Sequence, residues 1–162
     1  MGKQWSAWRL GLNMGRPSKL LVAEPPAEYR VRPPLVVDAS VLAACVFGEP
    51  ERDAAEARLK GFALHAPELI DYELANVATT KLRRRELVPD LAVKALAEFA
   101  AMTLRRHAPP PHEMAALAWR YGLSAYDAAY LWVAGELKAP LATFDHRLAE
   151  AATTHLGTLP TA

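Results

Sequence analysis

Four carboxylates carry the chemistry that this chain has to offer. They are Asp38 in Leu35-Val36-Val37-Asp38-Ala39-Ser40, Glu73 in Tyr72-Glu73-Leu74-Ala75-Asn76, Asp127 in Ser124-Ala125-Tyr126-Asp127-Ala128, and Asp145 in Leu141-Ala142-Thr143-Phe144-Asp145. Each interrupts or ends an apolar segment, where an ionised carboxylate is costly to desolvate unless a cation or hydrogen-bond donors stand near. None has an evident local cationic partner, which points to a metal ion as the missing counter-charge. Oxygen-only ligands suit Mg²⁺ or Mn²⁺, which keep several waters and take few carboxylates directly. Such an ion activates a water, orients a phosphodiester and stabilises the leaving oxygen.

Each acid also has a plainer account. Asp38 and Asp145 directly follow apolar strands and precede helices, so either is a natural helix N-cap. In an open parallel sheet the same two positions face the crevice beyond the carboxyl ends of the strands. Ser124-Ala125-Tyr126-Asp127 fits a capping box. Asp127 nevertheless shares one helical face with Leu123, Tyr130, Leu131 and Ala134, at the mouth of an apolar stripe.

Glu73 is the hardest to excuse. A helix expected over Glu68–Arg85 places it beyond the first turn, with Ile70 and Val77 as neighbours and no Lys or Arg at ion-pair spacing. A solvated surface glutamate is the alternative. Ser40 and Thr143 flank the acids, either as hydrogen-bonding support or as caps. Arg83, Arg84 and Arg85 close the long helix, either as phosphate contacts or as favourable C-terminal charge. The five histidines show no metal-ligand spacing. The acids lie 35, 54 and 18 residues apart in sequence, so only the fold can assemble them.

A chain of 162 residues, 52% apolar and 23% charged, is sized for one globular domain with its own core. Cys45 is the only cysteine, which excludes an intrachain disulfide and a thiolate cluster; it reads as a small core residue. No apolar run is long enough to span a membrane. Arg9, Arg16 and Lys19 break up any secretory signal, and a cytoplasmic location is expected. The net charge of +1 hides an asymmetry: residues 1–34 hold six basic side chains against two acidic, and the remainder thirteen against sixteen. A mildly acidic body does not invite polyanions over its whole surface, so nucleic-acid contact would need local basic clusters and a bound cation.

Residues 1–34 lack a sustained apolar period and end in Pro33-Pro34; they read as a flexible or loosely docked basic extension, or as the product of a start site assigned too far upstream. The domain is expected over residues 35–162. Strands are expected at Leu35–Val37, Ala63–His65, Leu104–His107, Pro140–Phe144 and Leu156–Leu159. Helices are expected at Ser40–Phe47, Pro50–Lys60, Glu68–Arg85, Leu91–Met102, Pro111–Tyr121, Ser124–Lys138 and Arg147–Ala152. Strands separated by helices predict an α/β fold, a three-layer α/β/α sandwich around a mostly parallel sheet.

With these residues in place, the sequence resembles the PIN-domain family, and most of all the VapC toxins of bacterial type II toxin–antitoxin systems. The resemblance covers about residues 35–160 and rests on VVDASVLAA, YELANV, LSAYDAAYLWVA and PLATFD, which carry all four acids in order. It implies a PIN-like sandwich and Mg²⁺- or Mn²⁺-dependent endoribonuclease activity. The acidic roles then fall to Asp38, Glu73, Asp127 and Asp145, supported by Ser40, Asn76 and Thr143. It further implies a homodimer and a cognate antitoxin protein that covers the acidic cleft. The extension over residues 1–34 departs from the family pattern. Two other readings compete: a catalytically silent PIN-like interaction module, and a phosphoacceptor signalling domain. The latter wants paired acids at the first strand and a lysine after the last central strand. Here Val37 precedes Asp38, and Thr143-Phe144-Asp145 carries no lysine.

Overall fold

The computed structural model describes residues 31–159, and the expected extension lies outside them except for its last four residues. Leu35, Val36 and Val37 form an unbroken apolar run, suited to a strand buried on both faces. They make up β1 (Pro34–Val37) and are fully buried. It leads into α1 (Ala39–Phe47), α2 (Arg52–Leu59) and β2 (Ala63–Pro67). Then come α3 (Ile70–Arg83), α4 (Pro89–Ala101), β3 (Leu104–His107) and α5 (Pro111–Tyr121). The chain closes with α6 (Ala125–Leu137), β4 (Leu141–Ala142) and α7 (His146–Gly157).

The four strands pair in the order β3-β2-β1-β4, and every pairing is parallel. The chain builds outward from β1 through β2 to β3, then returns to pair β4 on the other side of β1. That reversal is a topological switch point, the place where open α/β sheets bind ligands at their carboxyl ends. The helices fall into two sets. The first four contact one another around α1, whereas α6 lies on β1 and β2 and carries α5 and α7. The result is the expected α/β/α sandwich.

Most expected elements are present within a residue or two of their expected ends, and β3 and α5 match end to end. β2 runs on through Pro67, which pairs with His107 at the strand end, where a missing N–H is tolerated. Two expectations fail at the C-terminal end. β4 is only Leu141–Ala142, because the next residues turn away to bond other groups: Thr143 accepts from the Asp145 N–H and Ser40 from the Phe144 N–H. The expected strand Leu156–Leu159 and short helix Arg147–Ala152 are instead one helix, α7, running to Gly157. Its buried residues Leu148, Ala151 and Ala152 recur at helical spacing, and that period continues past Ala152.

Candidate active site

β1 delivers Asp38 to the switch point. The residue is buried, with extended backbone, and caps α1 by accepting the Ala39 N–H at 2.7 Å. Its other oxygen accepts from the Ser40 hydroxyl at 2.6 Å and the Thr143 hydroxyl at 2.8 Å. The two accounts of Asp38, cap and site residue, are therefore not exclusive. A carboxylate offers about four lone-pair sites, and three are occupied, so one remains for a further donor or cation.

Thr143 ties the second half of the fold to this point. Its hydroxyl donates to Asp38 and accepts the Asp145 N–H at 2.9 Å, while the Phe144 N–H reaches Ser40 at 3.1 Å. Asp145 follows as the N-cap of α7, accepting the Leu148 N–H at 2.9 Å. Asp127 sits in the first turn of α6, where the Ser124 hydroxyl accepts its N–H at 3.0 Å and donates to its carboxylate at 2.7 Å. All three aspartates are thus engaged in the capping geometry expected of them.

Glu73 is different. α3 starts at Ile70 rather than near Glu68, so Glu73 lies in the first turn and not beyond it. Its carboxylate still caps nothing. It is half-buried and accepts a hydrogen bond from the Tyr130 hydroxyl of α6. Burial pushes its carboxyl up to about 7; the Tyr130 bond pulls the other way, and the charges of Asp38 and Asp127 push up again. Those charges show that α3, β1 and the start of α6 bring three of the four acids within electrostatic reach. Burial and the bond to Glu73 hold the Tyr130 phenol firmly protonated, so it acts as donor. Sequence reading had Tyr130 only as an apolar stripe residue. The available signal was its place one turn from Asp127, since a buried phenol needs a polar partner.

Other candidates stand further out. Asn76, one turn beyond Glu73, does not enter the Asp38 network; it lines a surface cavity with Val77, Thr80, Lys81 and Arg84. Arg83, Arg84 and Arg85 are exposed at the far end of α3, about 16 Å along the helix from Glu73 at 1.5 Å per residue. Two histidines meet unexpectedly across adjacent strands, His65 and His107 sharing a 2.8 Å hydrogen bond.

Among the described residues, no three His, Cys, Asp or Glu side chains converge as a metal-binding group. The donor chemistry nonetheless fits a hard divalent cation. All donors are oxygens, Asp38 keeps a free lone pair, and burial, with a further push from the charges of Asp38 and Asp127, lifts Glu73. Mg²⁺ is commonly held through one or two carboxylates with waters completing its shell, so three-fold convergence is not required.

The chain matches the PIN domain over residues 35–153. It is 36% identical over 121 residues to Ribonuclease VapC3 of Pyrobaculum aerophilum, covering 72% of this chain and 92% of that protein. It is 28% identical over 116 residues to Ribonuclease VapC12 of Mycobacterium tuberculosis, covering 72% and 90%. The crystal structure of PAE2754 from Pyrobaculum aerophilum superposes with a TM-score of 0.56 at 25% identity, over 77% of this chain and 90% of that one. By its matched span and its relatives, the chain belongs to the PIN-domain family and is of the VapC type.

Proposed function

We propose that this protein is a divalent-metal-dependent endoribonuclease, the toxin of a type II toxin–antitoxin pair. The observation that carries the reading is Glu73, a half-buried carboxyl raised to about 7 beside Asp38 and Asp127. Structural carboxylates are ordinarily arranged to stay ionised; one lifted first by burial and further by two neighbouring acids marks a site tuned for a task. The ribonuclease names of the two relatives support the same substrate class.

Asp38, Glu73, Asp127 and Asp145 are the oxygen donors from which Mg²⁺ or Mn²⁺ would take one or two, with waters completing its shell. When bound, such an ion would supply a nucleophilic water at neutral pH and stabilisation of charge on the phosphodiester. Ser40 and Thr143 fix the Asp38 carboxylate in one orientation from two sides. Tyr130 does the same for Glu73. By family likeness the protein acts as a homodimer in the cytoplasm, and a cognate antitoxin neutralises it. No described helix is long and apolar enough to cross a membrane.

The test is cleavage of purified RNA with Mg²⁺ or Mn²⁺ against EDTA, with Asp38→Asn as control. Loss of cleavage in both controls is expected. Metal-independent cleavage, or full activity in Asp38→Asn, rejects the reading. A protein that neither cleaves RNA nor gains thermal stability in millimolar Mn²⁺ is a silent interaction module instead.

A further inference from the structure

Each candidate acid lies at the N-terminus of a helix, and three of those helices are capped there by a side chain: α1 by Asp38, α6 by Ser124 and α7 by Asp145. α3, which carries Glu73, is not; its N-cap position is Leu69, which offers no side-chain acceptor. Helix ends fray, because the first N–H groups lack intrahelical partners. Glu73 sits in that uncapped turn, so bonds from outside the helix have to hold it.

Arg106 of β3 supplies them. Its Nε and one Nη donate to the two carboxylate oxygens of Asp71, each at 2.7 Å, in a two-pronged fork. The guanidinium is itself held: its other Nη donates to the Leu104 carbonyl at 3.3 Å, and it stands 5.5 Å from the ring centre of Phe99, a buried residue of α4. The backbone adds a second tie, from the Glu68 N–H to the His107 carbonyl at 2.8 Å. Asp71 and Glu73 lie two residues apart, about 200° around a helix of 3.6 residues per turn. One side of the first turn of α3 is thus bonded to β3, and the opposite side presents Glu73 to the Tyr130 hydroxyl of α6.

An ion pair whose side chains are 30% and 44% exposed adds little stability. A planar fork on a carboxylate fixes direction as well as distance, which a point charge does not. With bonds on both sides, the first turn of α3 can neither slide nor rotate without breaking one of them. We infer that Asp71 and Arg106 are positioning residues that hold the Glu73 carboxylate on Tyr130, and so in its place for the reaction. The inference rests on the nuclease reading for what Glu73 does there.

The experiment uses the full chain with tyrosine isotope-labelled at the ring carbon that bears the hydroxyl, read by NMR in EDTA and without RNA. Tyr130→Phe assigns the Tyr130 signal among the five tyrosines, and Glu73→Ala marks its position once the bond is lost. Asp71→Asn and Arg106→Gln are each expected to move the signal towards that position, and the double variant no further than either. Arg106→Lys, which keeps the charge but not the fork, is expected to move it likewise. The signal of Tyr121, bonded to His155 instead, should stay in place. A pair that only stabilised the fold would lower the melting temperature and leave the Tyr130 signal unmoved, and that result overturns the inference. In RNA cleavage, both single variants should lower kcat about ten- to a hundredfold and leave KM within about twofold. An unchanged kcat overturns the inference, and so does a raised KM in Arg106→Gln alone, which would make Arg106 a phosphate contact. A parent chain that cuts no RNA while the Tyr130 signal still moves sinks the nuclease reading alone and upholds the grip of the pair on Glu73.

Discussion

At Glu73 a carboxyl is held half-buried, and its burial, not any bond, dominates its behaviour. An acid whose folded value lies above its unfolded value binds more protons in the folded state between the two. Stability therefore falls as pH rises from the ordinary range near 4.5 to about 7, and the cost is fully present above that. In EDTA, Glu73→Gln keeps an acceptor for Tyr130 and removes the charge. It is expected to be more stable than the parent at pH 8 by about 1–2 kcal/mol, after the exposed part is discounted for solvent screening. The difference should vanish below about pH 4, under both values. Denaturation at the two pH values decides, and equal stability at pH 8 would show that Glu73 is freely solvated. Thermal stabilisation by Mn²⁺ should likewise be larger at pH 8 than at pH 6, because binding must displace the Glu73 proton. The awkwardness of Glu73 was legible in sequence from its missing cap role and missing cation. Its partner was not, since Tyr130 lies 57 residues away and meets it only when α3 and α6 come together.

At the level of elements, a helix N-terminus at a strand end, as at Asp38 and Asp145, is both a capping position and a position at the carboxyl end of the sheet. This is why sequence alone left Asp38 and Asp145 open, and capping bonds, which the structure shows at both, leave a site role free to be tested. The helices were legible from their apolar period and from stop signals such as Gly122, which closes α5 in the left-handed conformation. The short β4 was not, because what ends it is a long-range link: Phe144 to Ser40, 104 residues apart in sequence. The double role can be separated at Asp145. Asn caps a helix as well as Asp, so Asp145→Asn should keep the stability of α7 within about 0.5 kcal/mol, whereas Asp145→Ala should lose about 1 kcal/mol. Urea titration measures this, and RNA cleavage is measured beside it. Cleavage lost in both variants assigns a charge role to Asp145; cleavage retained in Asp145→Asn restricts it to capping. Thr143→Val removes the donor to Asp38 and the acceptor for Asp145, and should cost about 1–3 kcal/mol.

For the whole molecule, charge sets the problem that RNA binding must solve. From residue 35 onward, acidic side chains outnumber basic ones sixteen to thirteen, and the candidate site is itself acidic. A polyanion therefore gains little from the average field and depends on local cations. One path exists along the surface. The cavity at Ser40 and Phe144 shares Glu49 and Val77 with the cavity that reaches Asn76, Thr80, Lys81 and Arg84. Lys81 is already paired with Glu49 at 2.7 Å, which leaves Arg84 and its neighbours Arg83 and Arg85 to meet phosphate. The competing account gives these arginines to the helix, since cations near a C-terminus favour the helix dipole by about 0.3–1 kcal/mol. Salt dependence tells the two apart. Each phosphate contact on a single strand contributes about 0.7 to the slope of log affinity against log salt. If Arg84 meets a phosphate, Arg84→Ala should lower that slope by about this amount and weaken binding alike for every RNA sequence. An unchanged slope, with only a small loss of stability, would return the arginine to the helix end and leave the bound cation as the main attraction for RNA.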